Sequence, residues 1–185
     1  RATGIEEIMG HEGYIARCYF NALGKVVKPD FRFTKRSKQP PRDAFNSMLS
    51  FGYTLLMYEL YTAIIQQGLH PYFGFLHSLR SGHPALASDL IEEWRAVIVD
   101  AMVLSLIEHR EIHLTDFRQE ENGGVYLERA GRKKFLRAFE RKMRSTNQYL
   151  GDKQSFRCGI TQQVGDFSKA IMHKSADMYI QLKIR

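Results

Sequence analysis

The chain has 185 residues, 44% of them hydrophobic and 25% charged. That is enough length and apolar content to bury a substantial core, and it excludes disordered, collagen-like and low-complexity chains. Lys and Arg number 27 against 20 Asp and Glu, a net charge of +7. No stretch holds the roughly 18 uninterrupted apolar residues of a membrane span, and the opening RATGIEEIMG carries no signal-like apolar run. The sequence therefore predicts a soluble, intracellular chain cut from a longer polypeptide.

Helical periodicity dominates the chain. Residues 4–23 place Ile5, Ile8, Ile15, Tyr19 and Phe20 near one face and predict a first helix. A basic, irregular stretch, KVVKPDFRFTKRSKQPPR, follows. Two prolines and Asp43 then mark the start of a second helix, residues 44–67, with Phe45, Leu49, Tyr53, Leu56, Leu60 and Ile64 as its spine. Residues 70–84 read as a loop with three histidines, and a long apolar helix is expected over 85–108. Asn122, Gly123 and Gly124 supply a turn before a short extended GVYL. A basic helix over 131–149 and a last helix over 159–182 complete an all-α, single multi-helix domain, with at most a hairpin or extended segment near 114–128.

Charge is segregated. Residues 25–42 hold seven basic and one acidic side chain, and residues 125–144 hold eight basic and two acidic, which leaves the remainder acidic. Two such stretches predict surfaces for a polyanion, with nucleic acid the commonest one. The candidate contacts are Arg17, Lys35, Arg36 and Arg42 early in the chain and Arg132, Lys133, Lys134, Arg137 and Arg141 on the basic helix. The bland alternative for that helix is an ordinary charged outer face. Cys18 and Cys158 show no C-x-x-C spacing, so buried free thiols are expected.

Two acids interrupt apolar stripes. At about 100° per residue, Glu92 lines up with Ala96, Val99 and Val103, and Asp89 lies one turn earlier. Glu12 is flanked by Ile8, Ile15, Ala16 and Tyr19, with Gly10 and Gly13 on either side. A carboxylate on a buried stripe is costly unless paired, protonated or bound to a metal. One reading pairs these acids with arginines such as Arg17 or Arg95 and treats His77 as a satisfied core histidine. The other joins Glu12, His77 and Glu92 into a site for Mg²⁺ or Mn²⁺. His109 and His113, at i and i+4, read as a solvated helix face. No phosphate-cradling P-loop, serine-hydrolase elbow or dinucleotide fingerprint is present.

The strings GHEGYIARCYF, PPRDAFNSMLSFGYTLL, GLHPYFGFLHS and SDLIEEWR, in that order and spacing, resemble the C-terminal helical catalytic domain of the CRISPR-associated integrase family, the universal spacer-acquisition nuclease. The resemblance is densest over residues 10–110. It implies metal ligands at Glu12, His77 and Glu92, with Asp89 as an auxiliary carboxylate. Arg42, Asp43, Asn46, Ser50 and Tyr53 fall in a segment that lies close to the active site and DNA in the family. His83 stands where the family pattern leads us to expect an arginine.

The implied function is metal-dependent DNA cleavage or integration, in which a prespacer 3′-hydroxyl attacks a phosphodiester at a CRISPR repeat. Implied partners are double-stranded and branched DNA, a second copy in the full-length protein, and a small ferredoxin-like adaptation subunit, in a prokaryotic cytoplasm and with no membrane. The β-rich N-terminal domain of the family lies outside residues 1–185. The competing expectation is a non-catalytic basic helical module that binds nucleic acid or serves assembly.

Overall fold

A computed structural model describes residues 4–183. Helix α1 (Ile5–Val26) leads through a single 3₁₀ turn at Pro29–Phe31 and the basic loop to α2 (Ala44–Gln66). After the histidine-bearing loop come α3 (Ala85–Trp94), a π-helical turn (Arg95–Asp100) and α4 (Ala101–Glu108), which together make the long helix expected from periodicity. Strands β1 (Phe117–Gln119) and β2 (Val125–Leu127) pair antiparallel, with Arg118 opposite Tyr126. Helix α5 (Arg129–Arg144), strands β3 (Thr146–Asn147) and β4 (Gln154–Ser155), and α6 (Phe156–His173) follow. The fold is mostly helical, as expected.

The chain divides into two compact units, one formed by the chain up to Phe51 with Val103–Leu136, the other by Gly52–Met102 with the chain from Arg137 onward. In the first unit, Val27, Phe31, Phe45, Leu49, Leu106, Ile112 and Phe135 are buried. Phe33 stacks on Phe45 at 4.7 Å, and Phe51 meets Phe135 at 5.2 Å. Offset and tilted ring pairs of this kind add to the gain from apolar burial. Lys28 fastens the end of α1 by donating to the carbonyl of Glu108 at 3.0 Å.

The second unit is built around Trp94, which is fully buried and meets Phe156 edge-on at 6.2 Å. Its indole N–H donates to Gln163 Oε1, so the one polar atom of the ring is satisfied. A Cβ at Gly159 would stand 3.2 Å from the same ring, which makes the close approach of α6 dependent on glycine. Leu56, Leu60, Ile64, Leu90, Ile98, Ile160 and Val164 complete this core.

Several expectations are corrected. The basic helix stops at Arg144 rather than 149, because Thr146 and Asn147 leave it to pair with Ser155 and Gln154 in a second hairpin. The last helix starts at Phe156, capped by the Ser155 hydroxyl that accepts from the Cys158 N–H. It ends at His173, where Lys174 turns left-handed at φ +51°. His109 and His113 lie beyond α4 and are exposed, on no common helix. Helix α2 is long and apolar enough to cross a membrane by length and composition. With Phe45, Met48, Leu49, Leu56, Leu60 and Ile64 wholly buried against protein, it is a core helix here.

Candidate active site

A buried polar cluster lies between the histidine loop and α3. Asp89 has a completely buried side chain. Its Oδ2 accepts from the backbone N–H groups of Phe75 and Leu76, at 2.6 and 3.1 Å, and its Oδ1 accepts from that of His77 at 2.9 Å. The same Oδ1 lies 2.7 Å from His77 Nδ1. A carboxylate with three backbone donors converging on it is satisfied although buried. In the neutral ring, a carboxylate acceptor at Nδ1 calls for the proton on that nitrogen and leaves the lone pair on Nε2. That is the arrangement in which an outer carboxylate orients an imidazole for a metal. Gly74 makes it possible, since a Cβ there would fall 2.6 Å from Asp89 Oδ2 and 2.9 Å from the Ala85 backbone. His83 serves the same loop by bonding Ser88 Oγ at 3.1 Å.

Glu92, one turn along α3, is half-buried and paired with Arg95. Arg95 in turn lies over the Tyr53 ring, its guanidinium carbon 4.6 Å from the centroid. The Tyr53 hydroxyl donates to Asp100 Oδ1 at 2.6 Å, and both residues are buried. Asp100 escaped the sequence reading although the signal was there, an acid inside the apolar run RAVIVDAMVL. The π-helical turn carries Arg95 and Asp100 at its two ends, and the Ala101 N–H reaches back to the carbonyl of Ala96. Such widened turns recur at functional sites.

Glu12 belongs to the first unit and sits half-buried on α1. The apolar stripe expected to surround it is largely solvent-facing, with Ile8 40%, Ile15 64% and Tyr19 38% exposed and Leu23 the only buried residue of the helix. Glu12 is therefore no buried carboxylate in need of a partner. Among the described residues, no group of three or more His, Cys, Asp or Glu side chains is gathered in a form that could hold a metal ion. The donor chemistry of the three residues nonetheless fits a hard divalent ion, with one oriented imidazole nitrogen and two carboxylates.

The expected phosphate contacts divide into two sets. Arg17, Lys35, Arg42, Arg132, Lys133, Arg137 and Arg141 are exposed. Arg36, Asn46, Tyr53 and Lys134 are engaged internally. Arg36 donates to Asn46 Oδ1 at 2.9 Å and to Ser50 Oγ at 3.0 Å. Asn46 is fully buried and also accepts from the Ser37 N–H, while its amide donates to the Lys35 carbonyl and to Asp43. These bonds fix the basic loop onto the start of α2. Lys134 donates to both oxygens of Asp116, at 2.9 and 2.8 Å. Burial opposes ionisation of Asp116, but Lys134 and the His113 N–H outweigh it and hold the carboxyl below its usual range. Arg42 is exposed and donates to the carbonyl of Asn122 at 2.9 Å.

Comparison with known proteins is consistent in both sequence and structure. Residues 1–141 match the family described as CRISPR associated protein Cas1. A CRISPR-associated endonuclease Cas1 of Thermus thermophilus is 43% identical over 159 residues, 85% of this chain and 48% of the relative. A solved casposase bound to integration product superposes with a TM-score of 0.89 at 31% identity, covering 97% of this chain and 51% of that one. A Cas6-RT-Cas1–Cas2 complex gives 0.88 at 25% identity, over 100% of this chain and 20% of the neighbour's. The chain spans about half the length of the curated relatives that it matches.

Proposed function

Since the chain belongs to the CRISPR-associated Cas1 family, we propose that it is the helical catalytic part of a DNA endonuclease and integrase, joining 3′-hydroxyl ends of short DNA to a repeat by transesterification. The observation that carries this reading is the Asp89 cradle, which buries a carboxylate in order to fix one imidazole with a free Nε2 lone pair. In this reading Glu12, His77 and Glu92 hold Mg²⁺ or Mn²⁺. Bound there, a divalent ion supplies a lowered pKa for the attacking hydroxyl and charge neutralisation at the phosphodiester oxygens.

The protein's own contributions follow from its geometry. Asp89 keeps Nδ1 protonated and the ring in one orientation. Arg95, held on the Tyr53 face, sets the position of the Glu92 carboxylate. Exposed Arg17, Lys35, Arg42, Arg132, Lys133, Arg137 and Arg141 hold phosphates with little reading of sequence. Asn46, Arg36 and Lys134 act indirectly by positioning the loops that present those cations. The whole protein, on this reading, forms a homodimer and docks a small ferredoxin-like subunit on double-stranded and branched DNA.

Thermal unfolding with EDTA and with Mn²⁺ tests the site. A Mn²⁺-dependent rise in midpoint in the wild type that disappears in Glu92→Ala is the expected result. Strand joining on a branched DNA substrate should be abolished in Glu12→Ala, His77→Ala and Glu92→Ala, and full activity in any of the three overturns the assignment. The Glu92–Arg95 pair favours one competing reading, a non-catalytic nucleic-acid-binding module with internal ion pairs. That reading requires that Mn²⁺ leave both stability and DNA chemistry unchanged.

A further inference from the structure

The second unit contains a basic cavity whose lining includes none of the candidate active-site residues. It measures about 520 Å³ and is lined by Lys142, Asn147, Tyr149, Lys153, Phe156 and Lys183, among others. The β3–β4 hairpin shapes it. Asn147 Oδ1 accepts from the Tyr149 N–H, and its amide donates to the Gln154 carbonyl, so the loop that carries Tyr149 and Lys153 is held at its base. The Lys183 N–H donates to the Tyr149 carbonyl at 3.0 Å, which brings the tail's lysine to the same rim.

Three ammonium groups line this cavity, and among the described residues none of them forms an ion pair. Lys142 is half-buried, with its Nζ 4.5 Å from the centre of the Phe156 ring. Burial pushes its pKa below the ordinary lysine value. A desolvated cation with only a ring face for company is costly, and an anion entering the cavity would offset that cost. The half-buried Tyr149 ring, 5.8 Å from Phe156, offers a planar wall beside the cations. Lysines beside an aromatic wall match the two halves of a nucleotide, phosphate and base. Exposed Arg137 and Arg141 precede Lys142 on α5, so a strand tracked along the helix by its phosphates leads to the cavity.

We propose that this cavity receives one nucleotide of a single DNA strand, its phosphate on Lys142, Lys153 and Lys183 and its base against Tyr149. The inference rests on the reading of the protein as one that acts on DNA. It adds a strand-holding seat to the chemistry described above.

The test uses the whole 185-residue chain and a labelled oligo-dT strand, followed by fluorescence anisotropy across a salt series. Lys153→Ala/Lys183→Ala changes exposed side chains only, and circular dichroism verifies its fold. Binding should weaken at least about tenfold at 0.15 M salt, and the slope of log K against log salt should fall by about 1.4, near 0.7 for each lysine removed from a phosphate. Tyr149→Leu should weaken binding with the salt slope unchanged, the mark of a stacking interaction. Wild-type affinity and slope in the double variant overturn the seat while leaving the DNA reading intact. Failure of the wild type to bind any DNA overturns both. Wild-type-like strand binding by the double variant, together with millimolar dTMP shielding Lys142 from amine-modifying reagents, would assign the cavity to a free nucleotide and overturn the strand proposal.

Discussion

Asp89 and Glu12 are both acids placed near apolar side chains, yet their surroundings differ in kind. Asp89 is sealed and answered by three backbone donors and an imidazole. Glu12 stands half-buried on a helix whose apolar stripe faces solvent. The contrast teaches that an acid in an apolar pattern can mean two things. One is a structural keystone whose removal collapses a loop. The other is a partly exposed group that solvent already satisfies.

Substitutions sharpen the contrast, and the largest effect belongs to Asp89→Ala. It strands three backbone N–H groups at about 1 kcal/mol or more apiece, so the thermal midpoint should fall by roughly 6–12 °C. Asp89→Asn keeps most of the volume but faces an amide toward N–H donors, and if His77 holds a metal as proposed, the DNA-joining rate should drop about 10–100-fold, as for other groups that orient a ligand. Gly74→Ala pushes a methyl onto Asp89 Oδ2 and the Ala85 backbone. It should cost about 1–3 kcal/mol as an overpacked site, measurable by urea unfolding. Tyr53→Phe removes the hydroxyl that donates to the buried Asp100 and should cost about 1–2 kcal/mol by the same method. Glu12→Ala should stay within about 0.5 kcal/mol of wild type. A larger loss there would break the comparison, because it would make Glu12 structural as well.

A titration outside both regions supplies a control. Arg157 and Arg144 hold the Glu140 carboxyl at about 2, below its ordinary 4.5. A depressed folded-state pKa contributes stability that is present above the unfolded value and is lost as pH falls through the folded one. Between pH 4.5 and about 2, Glu140→Gln should therefore flatten the decline of stability in acid, with little change in its slope above pH 5. Acid unfolding followed by circular dichroism measures this.

Much of the fold was legible because punctuation and periodicity agree. Pro40, Pro41 and Asp43 announce α2, Gly68 closes it, and the apolar run from Ala85 is long enough to force a helix up to Glu108. The second hairpin was not legible. Its strands are two residues each and polar, so they leave no alternating pattern. In the candidate site, spacing set Asp89 beside Glu92 and the resemblance placed both near His77, but the direct bond from His77 to Asp89 was not legible, because the loop that makes it is placed by packing. The inward roles of Asn46, Tyr53 and Lys134 were not, because their partners Arg36, Asp100 and Asp116 are set by tertiary packing rather than by local sequence. The apolar stripe of α1 was read as buried because its periodicity alone does not report whether anything covers it.

The π-helical turn at Arg95–Asp100 also works as a phase shifter. A regular helix assigns each residue a bearing fixed by its number, whereas one widened turn resets the count by a residue. Deleting Ala96 to restore the regular winding would therefore leave Glu92 and Asp100 on about their present relative bearing, whereas regular winding with every residue kept would swing Glu92 by roughly 100° relative to Asp100. The extra residue in the widened turn is what sets the compass of the helix and the directions in which its acids point.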